Sequence, residues 1–173
     1  MPIVRTYNLD QSAGNLAQKV EQGRLYTLVD ETAGLAGSGT FELCLRTNGT
    51  KITVDLLSLA STSVESTIQL REGVVFTDLT GDTLTSFNRN RNFKTVPFPV
   101  NNAEKNPTVI DAGTLLEEFT VFGQAGQGGN KPAFSSGEIP IPFILEPNST
   151  YMIRVTNDDT SSRDYRAALY LSY

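Results

Sequence analysis

The chain has 173 residues, a formal net charge of -5 and a hydrophobic fraction of 39%, enough for one domain with a real core. It contains no histidine and one cysteine, Cys44, which excludes a Ser-His-Asp triad, a Cys-His pair, a His-bearing zinc site and an intrachain disulfide. Its acidity argues against the broad positive field that sequence-independent nucleic-acid binding needs.

Only 19% of residues are charged, below the quarter usual in soluble domains, so Ser, Thr, Asn and Gln must supply the polar surface. No apolar run approaches the ~20 residues that cross a bilayer. The N-terminal stretch MPIVRTYNLDQSAGN does not read as a secretory signal, so Asn48 and Asn148, both in glycosylation-like patterns, read as turn residues.

In chain order, residues 1–24 differ in pattern from the remainder of the chain. Leu9, Ala13, Leu16 and Val20 recur at helical spacing, Asp10 or Ser12 is placed to cap, and Gly23 to stop, a short amphipathic helix or arm. Such an arm packs either on its own domain or on a neighbour.

From residue 25 the pattern turns to β. TFELCLR puts Phe41, Leu43 and Leu45 on one face, and KITVDL puts Ile52, Val54 and Leu56 inward. Asn48-Gly49 between them predicts a hairpin, because a type I′ turn needs positive φ at both central positions. Cys44 falls within the first of these strands and reads as a small buried side chain rather than a reactive thiol.

VESTIQLR offers Val64, Ser66, Ile68 and Leu70 to the core, and GVVFTDL reads as another short strand. LLEEFTVF is apolar on both faces, as expected of a strand buried on two sides or in an oligomer contact. IPIPF, from Ile139 to Phe143, predicts an edge strand whose prolines discourage further pairing. Tyr151, Ile153 and Val155 alternate near the end, as do Tyr165, Ala167, Leu169 and Leu171. About eight strands predict an all-β, antiparallel β-sandwich, jelly-roll-like, over residues 25–173, preceded by the short helix or arm.

Two segments break the β pattern and read as long functional or mobile loops, 85–107 and 123–137. The first carries the densest basic cluster, Arg89, Arg91 and Lys94, with Phe87 and Phe93 beside it. This is a plain solvated loop or a contact for an acidic protein face, a nucleic acid or a glycan. The second resembles a phosphate loop only superficially, since Lys131 is followed by Pro132 instead of Ser or Thr. Glu117 and Glu118 are strand neighbours and point to opposite faces. Asp158 and Asp159 sit in an Asx-rich turn that needs no calcium to explain it. No cofactor or metal is expected.

The late stretch LEPNSTYMIRVTN, a polar turn and the aromatic final strand DYRAALYLSY together resemble small virion proteins of tailed bacteriophages, including capsid decoration or cement proteins. Pro147, Tyr151, Ile153, Arg154, Thr156 and Asn157 occupy the positions that carry the likeness, which is strong over the last quarter of the chain. The resemblance implies a non-enzymatic protein on the outside of an icosahedral shell, made in the host cytoplasm. It also implies contact with major capsid proteins and a homo-oligomer, often a trimer. Leu9, Leu16, Val20, Phe87, Arg89, Arg91, Phe93 and Lys94 are then the candidate capsid contacts, from pattern alone. Two competing readings are a receptor- or glycan-binding module of a tail or fibre, and a carboxylate-based hydrolase.

Overall fold

The computed structural model describes residues 9–63, 65–93, 98, 100–122, 135–139 and 143–173. One helix, α1 (Leu9–Glu21), precedes the strands β1 (Leu25–Leu35), β2 (Thr40–Thr47), β3 (Ile52–Ser61), β4 (Glu65–Glu72), β5 (Val75–Thr77), β6 (Asp82–Thr83) and β7 (Ser86–Asn88). After a 3-10 turn at Arg91–Phe93 come β8 (Val100–Lys105), β9 (Thr108–Asp111), β10 (Thr114–Phe122), β11 (Ser135–Ile139), β12 (Phe143–Leu145), β13 (Thr150–Asn157) and β14 (Arg163–Ser172).

The strands form two six-stranded antiparallel sheets and a small ribbon. Sheet A runs β11-β3-β14-β1-β7, with β12 also on β3; sheet B runs β10-β4-β13-β2-β8-β6; β5 pairs with β9. The long pairings are β1 with β14, β2 with β13, β3 with β11 and β12, and β4 with β10. First strand thus meets last, second meets next to last, and so inward. That is one long antiparallel hairpin rolled into two sheets, the jelly-roll topology predicted from the strand count.

The core lies between the sheets, where the period-two faces meet. Phe41, Leu43 and Leu45 of β2, Ile68 and Leu70 of β4, and Tyr151, Ile153 and Val155 of β13 pack against Leu57 and Leu59 of β3 and against Tyr165, Ala167, Leu169 and Leu171 of β14. Each of these side chains is at most 3% exposed, so each contributes its full burial, about 1.5–3 kcal/mol for the larger aliphatics.

Three local expectations are corrected. Asn48-Gly49 does not close a hairpin: β2 lies in sheet B and β3 in sheet A, so the turn crosses between sheets, as the rolled topology requires. Leu56 does not face the core. A bulge opposite Tyr170 and Leu171 shifts the register, and the inward phase passes from Val54 to Leu57 and Leu59. Residues 85–107 are not strand-free, since they contain β7 and β8, and the last part of the 123–137 segment is β11. The rest of the glycine-rich run, with Lys131 and Pro132, lies outside the described residues, as does Val64.

The helix already runs at Asp10 and Ser12, so neither caps it. Gly23 does end it, at φ 69. Its N–H bonds Val20 O and the Arg24 N–H bonds Lys19 O, the paired closure of a glycine-terminated helix. Leu16 and Val20 are half-buried, and Lys19 forms an ion pair with Asp55 of β3, so the helix packs on its own domain. The proline edge holds in part. β11 and β12 both pair with β3, Ile139 opposite Leu57 and Phe143 opposite Val54, and among the described residues nothing extends the sheet beyond them. Residues 140–142 lie outside the described residues.

β10 is an edge strand of sheet B. Phe119 and Val121 pack on the core, whereas Leu115 and Leu116 are exposed beside a register shift. Cys44 and Met152 alternate with core residues and so point out of sheet B. The β5–β9 ribbon covers them with Val74 and Phe76 in a second, small core.

Candidate interaction face

The sequence FNRNRNF, Phe87 to Phe93, is an alternation with a structural division of labour. Two of its three asparagines, Asn88 and Asn90, face the protein. Asn88 donates from Nδ2 to Gly23 O at 2.8 Å, and Asn90 from Nδ2 to Glu21 O at 3.2 Å. Asn88 Oδ1 also accepts the Asn90 N–H, and Asn90 Oδ1 the Asn92 N–H, so each asparagine sets the turn for the next. The Arg89 N–H bonds Leu25 O at 2.9 Å, continuing the antiparallel pairing of β7 with β1.

The arginines, held between these anchors, face solvent. Arg89 and Arg91 are exposed, and the Arg89 guanidinium lies 5.7 Å from the centre of the Tyr170 ring, a cation–π contact. Tyr170 alternates with core Leu169 and Leu171 and therefore points out of sheet A. Phe87 is 51% exposed, and exposed Arg24 follows Gly23. Among the described residues no carboxylate pairs with Arg24, Arg89 or Arg91. In a chain of net charge -5 this is a local positive patch, with aromatic rings beside it.

On the inner side of sheet A, Tyr173, in phase with core Leu169 and Leu171, places its ring 5.9 Å from that of buried Tyr26, which in turn lies 4.8 Å from Phe98. Burial, with the Tyr173 hydroxyl, pushes the Tyr26 phenol up to about 12, so it stays protonated.

Of the eight residues singled out from sequence, five fall on one face of sheet A: Leu16 and Val20 on the helix, and Phe87, Arg89 and Arg91 on the segment bonded to its end. Leu9 begins the helix and Phe93 closes the 3-10 turn, and both side chains lie outside the described residues, as does Lys94. The sequence reading missed Arg24 and Tyr170, and missed that Asn88 and Asn90 do the anchoring. The strict Asn/Arg alternation was the available signal for the last point.

The other constellations are internally satisfied. Asp158 accepts from Thr67 Oγ1 at 2.7 Å, and Asp159 pairs with Arg163 at 2.6 Å. Hydrogen bonding from Arg163 holds the Asp159 carboxyl below the ordinary aspartate value. Glu118 accepts from Gln69 Nε2 on the edge of sheet B. A cleft of about 390 Å³ between 73–76 and 148–150 is lined by Arg46 and Glu72. Arg46 is paired with Asp78, and Glu72 accepts from the Tyr151 hydroxyl at 2.7 Å. Cys44 is fully buried and its thiol is pushed up to about 12 by burial, with Glu42 and Glu104 adding to the shift. Among the described residues no group of three or more Cys, Asp or Glu is placed to hold a metal ion.

No family model matches the chain, and no curated protein matches it. Solved structures similar to it at a distance include the following three. The Yersinia pseudotuberculosis-derived mitogen is 12% identical with a TM-score of 0.29, over 84% of this chain and 83% of that one. A chain in the structure of infectious bursal disease virus, Gx strain, is 10% identical with a TM-score of 0.34, over 86% of this chain and 32% of that one. A chain from a marine algae virus of the order Picornavirales is 11% identical with a TM-score of 0.23, over 99% and 87%. Likeness at this level assigns no family. The fold rests on the strand pairing itself.

Proposed function

We propose that the protein is a non-enzymatic virion component. It binds the outer surface of a phage capsid as a homo-oligomer, a trimer by preference, and stabilises the shell by bridging major capsid proteins. Two things support the reading. The segment from Leu145 to Tyr173 resembles small virion proteins of tailed phages. The observation that carries it is the face on sheet A, where the helix end and the Phe87–Arg91 segment are bonded into one surface with exposed Phe87 and arginines that pair with no carboxylate among the described residues. Exposed aromatic and arginine side chains at a preformed surface are what protein interfaces enrich.

The mechanism is clamping. Each copy contributes a modest contact, and several contacts held in one oligomer add through effective concentration. In this reading Leu9, Leu16, Val20, Phe87, Arg89, Arg91, Phe93 and Lys94 contact neighbouring proteins of the particle, and no cofactor takes part. The test is heat resistance. Shells assembled without the protein should break at a higher temperature once it is added, in proportion to occupancy. Shells whose breakage temperature is unchanged at saturation would refute a stabilising role.

A further inference from the structure

A second apolar surface lies on the opposite side of the sandwich. The β5–β9 ribbon buries Phe76 against Cys44 and Met152 on the outer side of sheet B. Its free side turns outward Val75, Ile110 and, at the adjoining turn, Leu79, which are 49%, 71% and 80% exposed.

Leu79 is held there under strain. Its φ is 61, a left-handed conformation that a leucine rarely adopts. The Leu79 N–H lies 2.6 Å from the carboxylate of Glu104, which is itself fully buried. The same carboxylate accepts the Gly81 N–H at 2.9 Å and the Asn102 side-chain amide. A buried charge that fixes a strained, exposed leucine makes a rigid mount, with little ordering entropy left to lose on binding.

The free charge at the rim is acidic: Arg46 neutralises Asp78, but exposed Asp82 follows the Leu79 turn and exposed Asp111 lies beside Ile110, and among the described residues neither forms an ion pair. An anionic lipid surface or a phosphate backbone would be repelled. The occupant that fits is apolar with a basic rim. This chain carries such a surface on its other side, where Phe87 is bracketed by Arg24, Arg89 and Arg91 on the outer side of sheet A.

We propose that these two faces bind each other between copies. The Val75–Leu79–Ile110 surface of one copy seats against the Phe87–Arg89–Arg91 face of the next, a heterologous, front-to-back contact. The inference rests on the self-association in the proposed function and replaces its trimer, because faces on opposite sides of the sandwich stack copies front to back in an open row. It gives Phe87, Arg89 and Arg91 to the neighbouring copy and leaves the helix for the shell.

The experiment is sedimentation of the purified full chain, so it does not depend on shell binding. Wild type should self-associate, less so as salt rises. Arg89→Glu with Arg91→Glu should weaken association at least about tenfold, and so should Asp82→Lys with Asp111→Lys. A one-to-one mixture of the two double variants should associate again, because each then offers the other a complementary face. That recovery also shows that both variants fold. A wild type still monomeric at about 1 mM would overturn the inference, as would variants that associate like wild type. A mixture that stays apart would do the same. If self-association holds while shells fail to bind, only the virion reading falls.

Discussion

Asn157 ends β13 fully buried, and its side chain ties three stretches of chain together. Its Nδ2 donates to Leu35 O, Ala36 O and Ser161 O at 2.9–3.0 Å. Its Oδ1 accepts from Ser63 Oγ, the Tyr165 hydroxyl and the Asp159 N–H, each at 3.1 Å. Truncation by Asn157→Ala removes this whole network, in which the two Nδ2 hydrogens are shared among three carbonyls. Some partners are re-satisfied: Tyr165 keeps Ser66 Oγ at 3.0 Å, Ser63 keeps Glu65 O at 2.7 Å, and Ala36 O keeps the Gly39 N–H. The others lose a partner where water does not easily follow, at about 1–3 kcal/mol per buried unsatisfied group. The expected loss is about 3 kcal/mol, a fall in Tm of about 6–12 °C for a domain of this size. Urea unfolding followed by far-UV circular dichroism reads it directly, with Asp158→Ala, an exposed neighbour, as a control expected within about 0.5 kcal/mol of wild type. An Asn157→Ala variant that loses under about 1 kcal/mol would refute the view that this side chain locks the sheet ends.

Further predictions concern the ribbon side. Glu104→Gln should speed hydrogen exchange at the Leu79 and Gly81 amides by at least about tenfold, while β13 and β14 amides keep their protection. Burial alone would raise the Glu104 pKa. The Leu79 and Gly81 amides and Asn102 outweigh it and hold the carboxyl below its ordinary value of 4.5. Its contribution to stability is therefore complete above 4.5 and is lost as pH falls through the lower native value, so faster exchange at these amides should set in only in acid. Cys44, buried with its thiol pushed up to about 12, should resist alkylation at about pH 8 in the folded protein and react once in urea. Rapid labelling without urea would show that the ribbon opens.

The sandwich was legible because burial follows the strand period. Phe41, Leu43 and Leu45, or Tyr165 through Leu171, announce an inward face with no knowledge of their partners. What period two does not reveal is which strands pair. Asn48-Gly49 has the chemistry of a hairpin turn, yet β2 and β3 bond to other strands because the rolled topology sends them to opposite sheets. Leu56 failed for a related reason: a one-residue bulge inverts every side chain beyond it, and no local composition marks it. Cys44 and Met152 alternate onto the face a simple sandwich leaves wet, and only the later ribbon explains their burial.

At the interaction face the sequence singled out segments without the contacts that place them. Arg89, Arg91 and Phe87 stood out by charge and ring density. Their placement beside the helix end depends on Asn88 and Asn90 reaching carbonyls more than sixty residues earlier, which no spacing encodes. Glu104 carried no signal, and Asn157 entered only through the phage-protein likeness, because the structural role of a buried polar residue is recognisable only once its hydrogen-bond partners are in place.

The claim that the protein is a shell-binding virion component is met most directly by co-sedimentation with capsids of its source virus assembled without it. The account predicts saturable binding at a fixed ratio to the major capsid protein. Protein that stays in the supernatant at every concentration tested, while capsids pellet bare, would contradict it.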